Sequence, residues 1–225
     1  MKLLGFPHHP VGEIETEAKL EGEALHKALL KMRKTTFDAI ISGIQTKAVY
    51  AAKFPLVAGL SGVLLVGVPD VVVFLRGRPA FVVELKTTRG DVSKLWRDQV
   101  AQVQVYGLLL DLMAFNCSEL KLVVPRLKRD GLDYDRGKKE LLRRIIIALI
   151  KDSHGELEKR YCDNLRVHIL QYDKQEAVNV VTWAQDYWLL RREAMSTKNP
   201  LKCKTCEFGD ACPLCLWKDH PADSS

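Results

Sequence analysis

Apolar positions along this 225-residue chain recur first at helical spacing and then at strand spacing. From Glu13 to Lys34 the residues Ile14, Ala18, Leu20, Ala24, Leu25, Ala28, Leu29 and Met32 form one stripe, which predicts a helix. A second helix is predicted over Phe37 to Ala52. The period then changes. Short Val-rich runs at Val63–Val66, Asp70–Leu75 and Ala80–Leu85 predict strands, and the turn Arg76-Gly77-Arg78-Pro79 joins the last two as a hairpin. A polar loop, Thr87 to Asp91, leads into a helix from Ser93 to Met113. Strands are expected at Leu120–Val124 and Leu165–Gln171, and a helix over Lys138–Lys151 between them predicts a strand–helix–strand crossover. A last helix is expected over Glu176–Met195, closed by Asn199-Pro200. The expectation is one α/β domain over residues 1–198 with residues 199–225 folded onto it.

Composition narrows the class. Hydrophobic residues make up 47% of the chain, enough for a packed core rather than a disordered polymer. The apolar run from Phe54 to Val68 is broken by Pro55, Gly59, Gly62 and Gly67, which is too short and too interrupted for a membrane span and reads as buried strands. The opening MKLLGFPHHP lacks the apolar core of a signal peptide, so a cytoplasmic protein is expected, with no membrane partner. A net charge of +6 suits a polyanionic partner.

The predicted hairpin carries the chemistry. Asp70 follows Pro69, and thirteen residues separate it from Glu84-Leu85-Lys86. Both acids border strongly apolar runs, Val71-Val72-Val73 and Phe81-Val82-Val83, where a charge is costly unless it coordinates something. On neighbouring strands they can converge on one hard divalent cation such as Mg²⁺ or Mn²⁺, which favours oxygen ligands. Such an ion polarises a phosphoryl oxygen and activates water. Lys86 lies two residues beyond Glu84, on the same face of a strand, where its ammonium can position that water. His26 on the first helix is either a surface histidine or a further ligand suited to Mn²⁺. Gln102 and Tyr106 stand four apart on one helix face, with Gln99 a turn earlier. They read either as ordinary polar exposure or as part of a site.

In this order, Gly22-x-x-x-His26, Asp70, Glu84-x-Lys86 and Gln102-x-x-x-Tyr106 resemble the RecB-like branch of the PD-(D/E)xK nucleases over roughly residues 20–110. The resemblance implies a restriction-endonuclease-like core, a mixed central sheet flanked by helices. It further implies that His26, Asp70, Glu84 and the Leu85 carbonyl bind metal and that Lys86 is the catalytic lysine. Gln102 and Tyr106 would form a helix motif that orients the lysine and the DNA.

Four of six cysteines crowd into Cys203-x-x-Cys206-x₅-Cys212-x-x-Cys215. Paired Cys-x-x-Cys elements in an intracellular chain point to a metal rather than to disulfides. The five-residue spacer is shorter than structural zinc sites usually use, and Cys₄ ligation also serves iron–sulfur clusters. Here the chain resembles the CRISPR-associated exonuclease family, the fourth Cas family, whose C-terminal cysteine trio is matched by Cys203, Cys206 and Cys212. The resemblance implies an iron–sulfur cluster, 4Fe–4S or 2Fe–2S, in preference to zinc. The family usually draws its fourth cysteine from the N-terminal region, but here none precedes Cys117. Cys215 is the substitute, with Cys162 the other option.

Arg76, Arg78, Arg89, Lys94 and Arg97 are candidate phosphate contacts, and Trp96 is either a base-stacking platform or a core residue. The blocks Arg126–Arg129 and Arg136–Arg144 read as solvated helix-face charge. The resemblance implies a single-stranded-DNA exonuclease in CRISPR adaptation, alongside the integrase proteins of that system, and relatives that include oligomers. The rivals are a RecB-like repair nuclease and a non-catalytic iron–sulfur DNA-binding module.

Overall fold

The computed structural model describes residues 37–128, 138–193 and 195, together with Cys203, Cys206, Cys212, Pro213, Cys215 and Leu216. The chain divides into two compact units, residues 27–185 and a second made of 1–26 with 186–225; the sheet and the site below lie in the first. The helix expected over Glu13–Lys34 lies outside the described residues.

Helix α1 spans Phe37–Thr46 and stops earlier than expected. Its continuation, β1 (Val49–Ala52), pairs antiparallel with β4 (Val71–Leu75) from Val49↔Leu75 to Ala52↔Val72. Val49 and Tyr50 suit a pleated surface, and an available strand edge overrides the helical pattern there. The apolar run that follows forms a separate hairpin, β2 (Leu56–Leu60) with β3 (Val63–Gly67). It is buried on one face only: Leu64 and Val66 on β3 are 69% and 62% exposed, which corrects the expectation of buried strands. The turn between β4 and β5 (Arg78–Val83) is two residues long, Arg76 and Gly77, both at positive φ (50° and 82°). Left-handed geometry at both positions is the turn that matches the strand twist, and glycine adopts it without strain.

The main sheet runs β1–β4–β5–β7–β8, where β7 is Lys121–Lys128 and β8 is Leu165–Gln171. Both β5 and β6 (Lys86–Thr88) pair parallel with β7, at the same register: Val83↔Val123 and Lys86↔Arg126. They form one strand interrupted at Glu84-Leu85, and the cause is Pro125. In a parallel ladder the N–H of residue 125 would donate to the Glu84 carbonyl, and proline has none. β7 was expected over Leu120–Val124 and runs on to Lys128. It continues because only that one rung is lost.

β8 pairs antiparallel with β7 from Lys121↔Gln171 to Leu127↔Leu165, so the expected crossover is not formed. Among the described residues two α-helices rather than one, α3 (Lys138–Ile150) and α4 (His154–Arg160), lie between these strands and allow the extra reversal. Helix α2 (Arg97–Leu112) packs on the sheet, setting Val103, Tyr106, Leu109 and Leu110 against Val72, Val82, Leu122 and Val124. Each such side chain contributes roughly 1.5–3 kcal/mol through burial. Gln104 on α2 anchors the corner between β8 and α5 (Lys174–Trp188). Its amide donates to the Gln171 carbonyl (3.1 Å) and accepts from the Asp173 N–H (3.0 Å). No described helix is long and apolar enough to cross a membrane.

Candidate active site

Where the β4–β5 hairpin opens, Val71 pairs with Val83, so Asp70 and Glu84 face each other one step beyond the ladder. Both are buried, at 2% and 4% exposure. Their own backbones hold them there. The Asp70 N–H donates to Glu84 Oε2 (3.2 Å), and the Leu85 N–H donates to Asp70 Oδ2 (3.0 Å). Glu84 points its N–H to Val123 on β7 (2.9 Å), so the backbone edge of Leu85 faces the opposite way, toward Asp70.

Lys86 follows the strand alternation onto the Glu84 face and donates to Glu84 Oε1 at 2.9 Å. Its ammonium also donates to Gln102 Oε1 at 2.7 Å. The Gln102 amide nitrogen in turn donates to Glu84 Oε1 (3.1 Å) and to the Tyr106 hydroxyl (2.8 Å). This closed set of donors and acceptors determines which way the amide points. The Tyr106 hydroxyl donates on to the Val68 carbonyl at 3.5 Å. Gln102 and Tyr106 thus face the site, as the four-residue spacing allowed. Gly67 matters here: a Cβ at that position would lie 2.8 Å from the Tyr106 ring, so glycine lets the ring close on β3.

Burial dominates the electrostatics of the centre. Burial, and then the Asp70 charge, raise the Glu84 carboxyl above its ordinary value, against the opposing pull of Lys86. Burial, and then the Glu84 charge, push the Tyr106 hydroxyl up to about 12. The two buried carboxylates form an all-oxygen donor set, each with an ammonium beside it: Lys86 on Glu84 and Lys53 on Asp70. That set fits a hard divalent cation, with Asp70, Glu84 and the Leu85 carbonyl edge to hold it.

Sequence reasoning missed Lys53. It sits 3.5 Å from Asp70 Oδ1, a second ammonium at the centre, carried there by the β1 edge strand that the predicted helix had hidden. Arg126 was misread. It lies on β7 rather than a helix face, beside Lys86 in register, and is 2% exposed. Its Nη1 donates to Gln99 Oε1 at 3.4 Å, its Nε has no partner among the described residues, and burial lowers its pKa. Trp96 is 46% exposed with Lys94 Nζ 5.1 Å from its ring centre, so it is no core residue. Arg76 and Arg78 flank the closed end of the hairpin, about 17 Å of strand from Asp70. They cannot share in a phosphate held at the carboxylates.

His26 lies outside the described residues. Cys203, Cys206, Cys212 and Cys215 are free thiols, with Cys206 exposed. Each Cys-x-x-Cys pair is closed by a turn: the Cys206 N–H donates to the Cys203 carbonyl (3.2 Å) and the Cys215 N–H to that of Cys212 (3.3 Å). Among the described residues no group of three or more His, Cys, Asp or Glu side chains converges closely enough to hold a metal ion. The structure forms the two halves of the expected knuckle without joining them.

Residues 6–213 match the PD-(D/E)XK nuclease superfamily. Among solved proteins, the crystal structure of SSO0001 is similar in fold, with a TM-score of 0.50 and 18% identity over 88% of this chain and 72% of that one. No curated protein matches the chain.

Proposed function

The chain belongs to the PD-(D/E)XK nuclease superfamily, and from that premise we propose that it is a Mg²⁺- or Mn²⁺-dependent exonuclease acting on single-stranded DNA ends. One observation carries the reading. Asp70, Glu84, Lys86 and Gln102 form a single buried hydrogen-bonded centre at the open end of the hairpin. A bound ion supplies polarisation of the phosphoryl oxygen and stabilises its developing charge. The residues do the rest. Asp70, Glu84 and the Leu85 carbonyl would hold the ion, and the sequence resemblance implies His26 as a further ligand. Lys86, held by Gln102, presents its ammonium to the attacking water. Gln102 keeps the lysine aimed, and Tyr106 fixes Gln102 from behind.

The order of motifs and the C-terminal cysteines support a role in CRISPR adaptation beside the integrase proteins, with an iron–sulfur cluster on Cys203, Cys206, Cys212 and Cys215. The two turn-closed Cys pairs favour such a centre, since each turn sets two sulfurs a short loop apart. The test is digestion of single-stranded DNA labelled at either end, with and without Mn²⁺. Mononucleotide release from one labelled end first, only with metal, is expected; internal cuts would remove the exonuclease assignment, and no cleavage would remove the nuclease.

A further inference from the structure

Beyond the end of β6 lies a cleft of about 1020 Å³, lined in part by Arg89, Lys128, Lys159 and Arg166, with Asp91 and Glu158. We propose that this cleft is a phosphate-binding track for the single-stranded polynucleotide, continuing directly from the Asp70–Glu84–Lys86 centre; the proposal rests on the nuclease reading.

Position comes first. Lys128 is the register partner of Thr88, two residues past Lys86 on the same strand. Lys128 therefore lies about 8 Å from Lys86, backbone to backbone, within reach of the next phosphates of an extended strand. Register also sets Lys86, Arg126 and Arg166 side by side across β6, β7 and β8, with Arg126 buried and Arg166, paired with Glu158, at the cleft.

Charge pairing comes second. The two carboxylates in the cleft are already engaged within the chain. Glu158 accepts from Arg166 Nη1 (3.0 Å) and from the Val167 N–H (2.6 Å). Asp91 accepts from the Ser93 N–H (2.8 Å) and hydroxyl (2.7 Å), which holds its carboxyl below the usual range. Arg89, Lys128 and Lys159 form no ion pair with any described residue, and all three reach solvent. Three cations with no ion pair among the described residues, around an open cleft, match a ligand with regularly spaced anions. A positive groove of this kind tracks a single-stranded backbone without reading its sequence.

The test uses full-length protein carrying Asp70→Asn, so that binding is read without cleavage. Affinity for a fluorescent oligothymidylate of about 16 nucleotides, a length that fills a single-strand site, is titrated across salt concentration. Adding Arg89→Ala/Lys128→Ala/Lys159→Ala should weaken binding by about 10- to 100-fold and reduce the slope of log K against log salt by about 2, near 0.7 for each lost phosphate contact. A charge-matched control, Arg76→Ala/Arg78→Ala/Arg143→Ala, should leave both unchanged. If the cleft variant keeps its affinity and slope, or the control loses as much, the track is refuted while the nuclease reading stands. If the parent protein binds no oligonucleotide and wild type cleaves none, both fall.

Discussion

The carboxylate centre and the cysteine segment are both metal-site candidates by sequence, yet the fold treats them differently. Asp70 and Glu84 are buried and hydrogen-bonded into position by the backbone of each other's strand. The four thiols form two local turns, and among the described residues they do not converge. The difference is chemical. A carboxylate can be oriented by N–H donors and lysines before any ion arrives, so a sheet can build such a site by itself. Thiols lack strong donors and acceptors, and a thiolate cluster is usually assembled by its metal. The first site belongs to the framework; the second would belong to its ion.

That contrast can be broken in several ways. Among substitutions that leave both carboxylates in place, the largest effect should come from Lys86→Ala, which removes the ammonium bonded to both Glu84 and Gln102. Single-turnover cleavage should slow by about 10²–10³-fold with the melting temperature preserved, as for loss of one preorganised electrostatic group. An equal fall in stability would mean that the lysine is structural. Next, replacing all four cysteines by serine should remove iron and visible absorption while sparing Mn²⁺-dependent cleavage to within about tenfold, because the carboxylate centre is held without them. Loss of all cleavage in folded protein would show that the two regions are not independent.

Smaller effects should follow the hydrogen-bond chain outward. Gln102→Ala frees the lysine to rotate and should cost about tenfold in rate; Tyr106→Phe, one bond further away, should cost about threefold. A larger loss from the tyrosine would reverse the proposed order of support.

The raised Glu84 pKa gives a further test. The metal-free folded chain binds that proton more tightly than the unfolded chain. This contribution to stability is therefore complete below the ordinary glutamate value and is lost as pH rises through the raised one. A divalent ion offsets the charge, so the Mn²⁺-induced rise in melting temperature should grow from about pH 5 to about pH 8. A shift that shrinks over that range would place the ion elsewhere.

Much of this was legible in sequence because local chemistry and tertiary demand agreed. The Val-rich strands around Asp70 and Glu84 had no other way to be satisfied, and the i, i+4 spacing of Gln102 and Tyr106 needed only a helix. β8 appears over Leu165–Gln171 as expected. The misses share a cause: each was decided by a distant partner. Val49–Ala52 became a strand because β4 offered an edge, and that placed Lys53 against Asp70. The strand expected over Leu120–Val124 runs on to Lys128, and its neighbour is interrupted instead at Glu84-Leu85, opposite Pro125. Arg126 read as surface charge because nothing local to it reveals a place beside Lys86.

The central claim is that the Asp70–Glu84 centre holds the ion that drives phosphodiester cleavage. Its most direct test is cleavage of single-stranded DNA by wild type and Asp70→Ala across Mn²⁺ concentration, with circular dichroism confirming the fold. The account predicts metal-dependent cleavage by wild type and none by the folded variant at any Mn²⁺ concentration. Cleavage by folded Asp70→Ala at the wild-type rate would contradict it.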